Sequence, residues 1–141
     1  MEKMKFVLIG CGRIATLHVA GYKDRDDAVL YGVYDKKKTA AEDFAKEYGI
    51  EKVYDTYEDV LNDPDVTGVE ILVPHHLHCA LTIQACNAKK HVSVQKPMAM
   101  NLEECDKMIA AAQKSGALLS TVSQNRFKHD AVKAKALVDS G

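Results

Sequence analysis

Apolar residues cluster in short β-branched runs along this chain, and between the runs they recur at helical spacing. KFVLIG (5–10) reads as a buried strand and RIATLHVAGYK (13–23) as the helix after it. VLYGVYD (29–35) is a second strand. KTAAEDFAKEYG (38–49) is a helix of good formers closed by Gly49. A short KVYD (52–55) and the amphipathic YEDVLNDP (57–64) follow, the latter stopped by Pro64. Then come strand GVEILV (68–73), helix HCALTIQACNAKK (78–90) and strand HVSV (91–94). Helix LEECDKMIAAAQKSG (102–116) is begun by the cap Asn101. ALLSTVSQ (117–124) is a sixth strand, and HDAVKAKALVDSG (129–141) a last helix.

Strands that alternate with helices are joined by right-handed crossovers, which builds a mostly parallel sheet covered on both faces. The pattern therefore predicts an α/β fold: one doubly wound, three-layer domain over residues 1–141. In such a sheet ligands sit beyond the carboxyl ends of the strands, where the strand order reverses. A polar residue just after a strand is thus a site candidate.

Composition narrows the classes without changing that picture. An apolar fraction of 47% with 28% charged residues is that of a soluble globular domain. Nineteen basic against twenty acidic side chains leave a net charge of −1, which gives no electrostatic reason to expect nucleic acid or an anionic membrane as partner. No apolar run is long enough to span a bilayer, and the N-terminus lacks the long apolar region of a signal peptide. Cys11, Cys79, Cys86 and Cys105 show no metal-ligand spacing and read as reduced thiols, so the expected compartment is the cytoplasm.

The first strand runs into GCGRIA (10–15), a G-x-G-x-x-G/A pattern. Gly10 would make the tight turn and Gly12 would let the backbone approach a pyrophosphate. Ala15 would let the helix pack on the strand. The N–H groups of the loop formed by Gly10, Cys11, Gly12, Arg13, Ile14 and Ala15, with the positive end of the helix, would hold the phosphates. Asp35 ends the second strand, where a carboxylate can bind the adenosine ribose hydroxyls. Asp35 favours NAD, since it repels a 2′-phosphate. Lys36, followed by Lys37 and Lys38, keeps NADP as the alternative, because a cation there could pair with that phosphate. An S-adenosylmethionine site is also glycine-rich at this turn, but the third small position and the six strand–helix repeats fit it less well.

Two further strand ends carry chemistry. VPHHLH (73–78) holds three histidines in four positions, but no carboxylate or cysteine stands at helical spacing beside them, and no metal is assigned. Pro74 shapes the strand exit, and His75 and His78 would form a polar wall near a nicotinamide ring. The fifth strand ends in Gln95-Lys96-Pro97. Lys96 could donate to a substrate oxygen and stabilise charge developing on it, with Pro97 fixing the backbone.

With GCGRIA, Asp35, VPHHLH and QKP in this order, the chain resembles the N-terminal half of the Gfo/Idh/MocA oxidoreductases, and ACNAKKHVSVQKPMAMNLEE and SQNRF resemble further segments of that family. The resemblance implies an NAD(P)-binding Rossmann domain from a dehydrogenase. Such an enzyme moves hydride between the cofactor and a hydroxyl or carbonyl carbon of a sugar, cyclitol or similar small molecule. It implies dinucleotide at Gly10, Gly12, Ala15 and Asp35, and substrate oriented by Lys96, often through a cis Lys–Pro peptide, with His78 as a second catalytic-site residue. It also implies departures. Gln95 stands where relatives usually have glutamate, although an amide can still accept from a ribose hydroxyl. His75 stands where they usually have asparagine. The family's second α/β domain, which usually supplies the substrate pocket and the oligomer interface, is not in this chain. The chain alone is therefore expected to bind cofactor with little or no activity, and the face for that domain to expose apolar side chains able to drive homo-oligomers. A non-catalytic module that senses NAD(H) or serves a partner chain is the alternative.

Overall fold

Why six short runs close into one sheet is visible in what each buries. A computed structural model describes residues 3–141. Its strands are β1 (Met4–Ile9), β2 (Ala28–Tyr34), β3 (Lys52–Val53), β4 (Gly68–Ile71), β5 (His91–Val94) and β6 (Leu119–Thr121). They lie in the order β3-β2-β1-β4-β5-β6, and all five pairings are parallel. Consecutive Val7, Leu8 and Ile9 are all fully buried, which a strand achieves only when both sheet faces are covered. The order reverses between β1 and β4, so the carboxyl ends of those two strands flank the switch point.

The helices are α1 (Ala15–Val19), α2 (Lys38–Tyr48), α3 (Tyr57–Asn62), α4 (His78–Asn87), α5 (Leu102–Ser115) and α6 (His129–Asp139). On one face Ala15, Ala41, Phe44 and Ala45 of α1 and α2 pack on Leu8, Val33 and Leu72. On the other, Val60, Ala85, Cys86 and Met108 of α3, α4 and α5 cover Val7, Ile9, Val69, Ile71, Val92 and Val94. Gly49 and Gly116 end α2 and α5 in the left-handed conformation, and Asn101 Oδ1 accepts the N–H of Glu104 at 2.9 Å to start α5. α3 carries a full capping box from Thr56 and Asp59.

Three elements differ from the sequence pattern by three residues or more at an end. The first helix, expected over 13–23, is α-helical over only five residues and then tightens into a 3₁₀ turn at Ala20–Tyr22. Thr16, Val19 and Gly21 are weak helix formers in so short a segment. α4, expected to reach residue 90, ends at Asn87, and Lys89 turns to φ 59°. The sixth strand is three residues rather than eight. α6 forms but buries none of its residues; Val132, Leu137 and Val138 stand exposed. No helix among the described residues is long and apolar enough to cross a membrane.

Candidate functional site

Beyond the carboxyl ends of β1, β2 and β4 lies a cleft of about 480 Å³ whose lining includes Gly10, Gly12, Asp35, Lys36 and Pro74. Gly10 sits at φ +103°, and a Cβ there would approach the Leu72 carbonyl oxygen to 2.8 Å, so the turn needs glycine. A Cβ at Gly12 would meet no protein atom within 4 Å; the backbone there faces open space. Among the described residues none accepts a hydrogen bond from the N–H of Gly12, Arg13 or Ile14, while Ala15 N–H donates to Gly12 O at 2.9 Å. Three unpartnered N–H groups on a loop make an anion cradle. Because α1 is so short, the loop amides rather than a long helix dipole supply that cradle.

Asp35 joins the loop to the second strand. Its Oδ2 accepts the Cys11 N–H at 2.9 Å and its Oδ1 accepts the Lys37 N–H at 2.8 Å. An ionised carboxylate has about four acceptor sites, so both oxygens can still accept from ribose hydroxyls. Lys38 is committed to an ion pair with Asp55, which leaves Lys36 as the lysine lining the cleft. Burial, reinforced by the Asp35 charge, pushes the Cys11 thiol up to about 12. This cysteine is therefore a neutral packing group of the loop, not a nucleophile.

The other strand ends are placed differently from the sequence pattern. Pro74 and His75 are exposed at the exit from β4, with the His75 ring 5.5 Å from that of His78. His78 is fully buried, its Nδ1 2.9 Å from Pro97 O and its Nε2 3.0 Å from Val73 O. Both ring nitrogens face backbone carbonyls, which only accept, so a neutral ring donates to one of the two and in either tautomer has no free edge for a substrate. The Lys96–Pro97 peptide is cis. Lys96 is exposed at the end of β5, beside the end of β4, where Gln95 N–H donates to Ile71 O at 3.0 Å.

Gln95 does not line the glycine-loop cleft. It lines a second, larger one of about 760 Å³ on the α1 face of β4–β6, together with Ile14 and with residues that sequence reasoning missed: His18, Tyr22 and Glu70. The Gln95 Nε2 lies 3.1 Å from His18 Nε2, and His18 Nδ1 lies 2.5 Å from Glu70 Oε2. Tyr22 OH donates to Glu70 Oε1 at 2.8 Å; burial and the Glu70 charge raise the Tyr22 pKa, so the phenol keeps its proton. The available signal was Glu70 itself, a carboxylate inside an otherwise apolar parallel strand.

Comparison with known proteins agrees with this geometry. The Gfo/Idh/MocA family model, described as an oxidoreductase family with an NAD-binding Rossmann fold, matches residues 4–123. A myo-inositol 2-dehydrogenase of Thermotoga maritima is 34% identical over 138 residues, which cover 98% of this chain and 41% of that protein. The solved structure of an NAD binding oxidoreductase from Klebsiella pneumoniae is 30% identical with a TM-score of 0.90, covering 99% of this chain and 39% of that one. An NAD-binding protein from Listeria innocua gives 29% and 0.90, with 99% of this chain and 41% of that one covered. The chain thus spans about two fifths of the length of relatives it matches.

Proposed function

This chain belongs to the Gfo/Idh/MocA family of oxidoreductases with an NAD-binding Rossmann fold, and from that premise we propose how its own residues serve the family chemistry. The pyrophosphate of NAD lies on the loop from Gly10 to Ala15, with Gly12 leaving room and the N–H groups of Gly12, Arg13 and Ile14 donating to it. Asp35 accepts from the adenosine ribose, and its charge with Lys38 paired away favours NAD over NADP. Pro74 and His75 border the nicotinamide end. When bound, NAD supplies the hydride acceptor.

In the whole protein, of which a second domain would complete the substrate pocket, Lys96 holds the oxygen of a cyclitol or sugar hydroxyl and stabilises the negative charge that grows on it as hydride leaves carbon. The exposed ammonium has no hydrogen-bond partner among the described residues and is free to do so. His78 is a positioning residue in this scheme, since it lies against Pro97 O and touches nothing that reacts. A cyclitol substrate is supported by the likeness to the Thermotoga enzyme.

The observation that carries the reading is the Asp35 carboxylate set against a glycine loop with three free N–H groups. Calorimetric titration of the chain with NADH and NADPH tests it. Saturable NADH binding tighter than NADPH binding is expected, with the difference narrowed or reversed in Asp35→Ala. If parent and variant titrate identically, Asp35 is not the ribose contact.

A further inference from the structure

The hydrogen bonds around Gln95 have a direction that can be worked out from one end. The Lys96 backbone N–H can only donate, so the Gln95 atom 2.8 Å from it is the amide oxygen. The other end of the amide is then NH₂, also a donor, and it faces His18 Nε2 at 3.1 Å. That nitrogen must therefore be the bare, accepting one, which places the ring proton on Nδ1. Nδ1 faces Glu70 Oε2 at 2.5 Å, and a carboxylate accepts there as it accepts Tyr22 OH on its other oxygen at 2.8 Å. Every donor meets an acceptor, and the chain runs from Lys96 to Glu70 without a conflict. The side chains of His18 and Glu70 are only 12% and 14% exposed, so water does not take over these bonds.

We propose that Gln95, His18 and Glu70 form a positioning relay for Lys96, in which the Gln95 amide and the Glu70 carboxylate are a matched pair that holds His18 in its Nδ1-protonated form. A carboxylate at 95 could not donate to His18 Nε2; it would require a proton there, and with Glu70 on the other side the ring would have to carry a proton on each nitrogen. An amide just past the end of β5 and an acid on β4 thus satisfy the same imidazole from its two sides. The relay clamps Lys96 N on one side of the corner, and the buried His78 ring lies against Pro97 O at 2.9 Å on the other. The functional meaning of that clamp rests on the reading of Lys96 as the substrate-facing group.

The test is a long-range ¹H–¹⁵N correlation spectrum of the labelled 141-residue chain near neutral pH, with the His18 signals identified by their loss in His18→Gln. The expected parent pattern is a protonated Nδ1 and an unprotonated Nε2. In Gln95→Glu, with a carboxylate facing each nitrogen, both become protonated. In the swapped pair Gln95→Glu with Glu70→Gln, the proton moves to Nε2 and Nδ1 is bare. In Gln95→Ala the Lys96 amide loses its acceptor and exchanges with solvent roughly tenfold faster. A parent ring protonated on Nε2, or a folded swapped variant that keeps the parent pattern, overturns the proposal, and the parent spectrum decides alone if the swapped variant does not fold. A Gln95 that merely filled space would leave the ring tautomer unchanged. The expected ring pattern in a chain that fails to bind NADH would overturn the cofactor reading and support the relay, so the two failures are distinct.

Discussion

Gly10 and Gly12 stand two positions apart and carry opposite constraints. Gly10 answers to the protein: its positive φ and the Leu72 carbonyl exclude a side chain. Gly12 answers to nothing within the protein, since a Cβ there meets only open space and its φ is not left-handed. Gly10→Ala should therefore cost on the order of 1–3 kcal/mol of stability. Gly12→Ala should leave stability within about 1 kcal/mol of the parent yet lower NADH affinity on the order of tenfold or more, about 1.4 kcal/mol. Urea melts and NADH titrations of the two variants separate these roles; equal loss of stability in both would mean that Gly12 also serves the fold. The loop and Asp35 were legible in the sequence because their spacing is local to one βαβ unit. The partners of Gln95 and His78 were not. His18 lies 77 residues from Gln95, and only the strand order brings them together.

At the scale of elements, the central strands were read faithfully because they are buried on both faces and announce themselves as apolar runs, whereas the half-exposed edge strand β6 shrank from eight residues to three. Helix ends depended on local chemistry that varied in clarity. Gly49 and Asn101 stop and start their helices as their residue types demand, whereas the first helix shortens where β-branched residues and Gly21 give little support. α6 shows the limit of periodicity. Its pattern correctly predicts a helix, but no pattern reveals that the helix fully buries none of its residues. Its contacts are chiefly with the adjoining 3₁₀ turn at Gln124–Phe127, and its apolar Val132, Leu137 and Val138 remain in water. An isolated helix of eleven residues is marginal in water. Amide hydrogen exchange should therefore be fastest in α6, through local opening, and slowest in β1 and β4 at the centre of the sheet. Protection of α6 equal to that of β1 would show that it docks on the fold in solution.

Across the whole molecule, the two edges of the sheet divide the work. The carboxyl edge carries loop N–H groups and a lysine that have no hydrogen-bond partner among the described residues, beside an open glycine, while the amino edge is tied down by buried polar groups. There Asp63 Oδ2 accepts from Lys52 Nζ at 2.5 Å and from Tyr54 OH at 2.7 Å, and Oδ1 accepts the Asp65 N–H at 2.8 Å. The nearly buried Lys90 donates to the carbonyls of Asp63 and Val66 at 2.7 and 2.9 Å, joining α3 to the start of β5. Burial alone would raise the Asp63 pKa, but the hydrogen bonds from Lys52, Tyr54 and Asp65 N–H outweigh it and hold the carboxyl down at about 2, against an ordinary value of 3.8. A carboxyl with a lower pKa in the folded state binds its proton more readily when unfolded. Its stabilisation is therefore complete above about pH 4 and is lost as pH falls through about 2. Asp63→Asn keeps the size of the side chain but removes the charge, and should cost about 1–3 kcal/mol at pH 7. Denaturant midpoints measured from pH 7 to 2 should fall more steeply between pH 4 and 2 in the parent than in Asp63→Asn, so that the two curves converge at the acid end. Parallel curves would assign the acid sensitivity to other carboxylates and leave Asp63 as a hydrogen-bond acceptor only. Because this cluster lies at the opposite edge from the glycine loop, NADH affinity of folded Asp63→Asn at pH 7 should match that of the parent, which makes stability and binding separable in one protein.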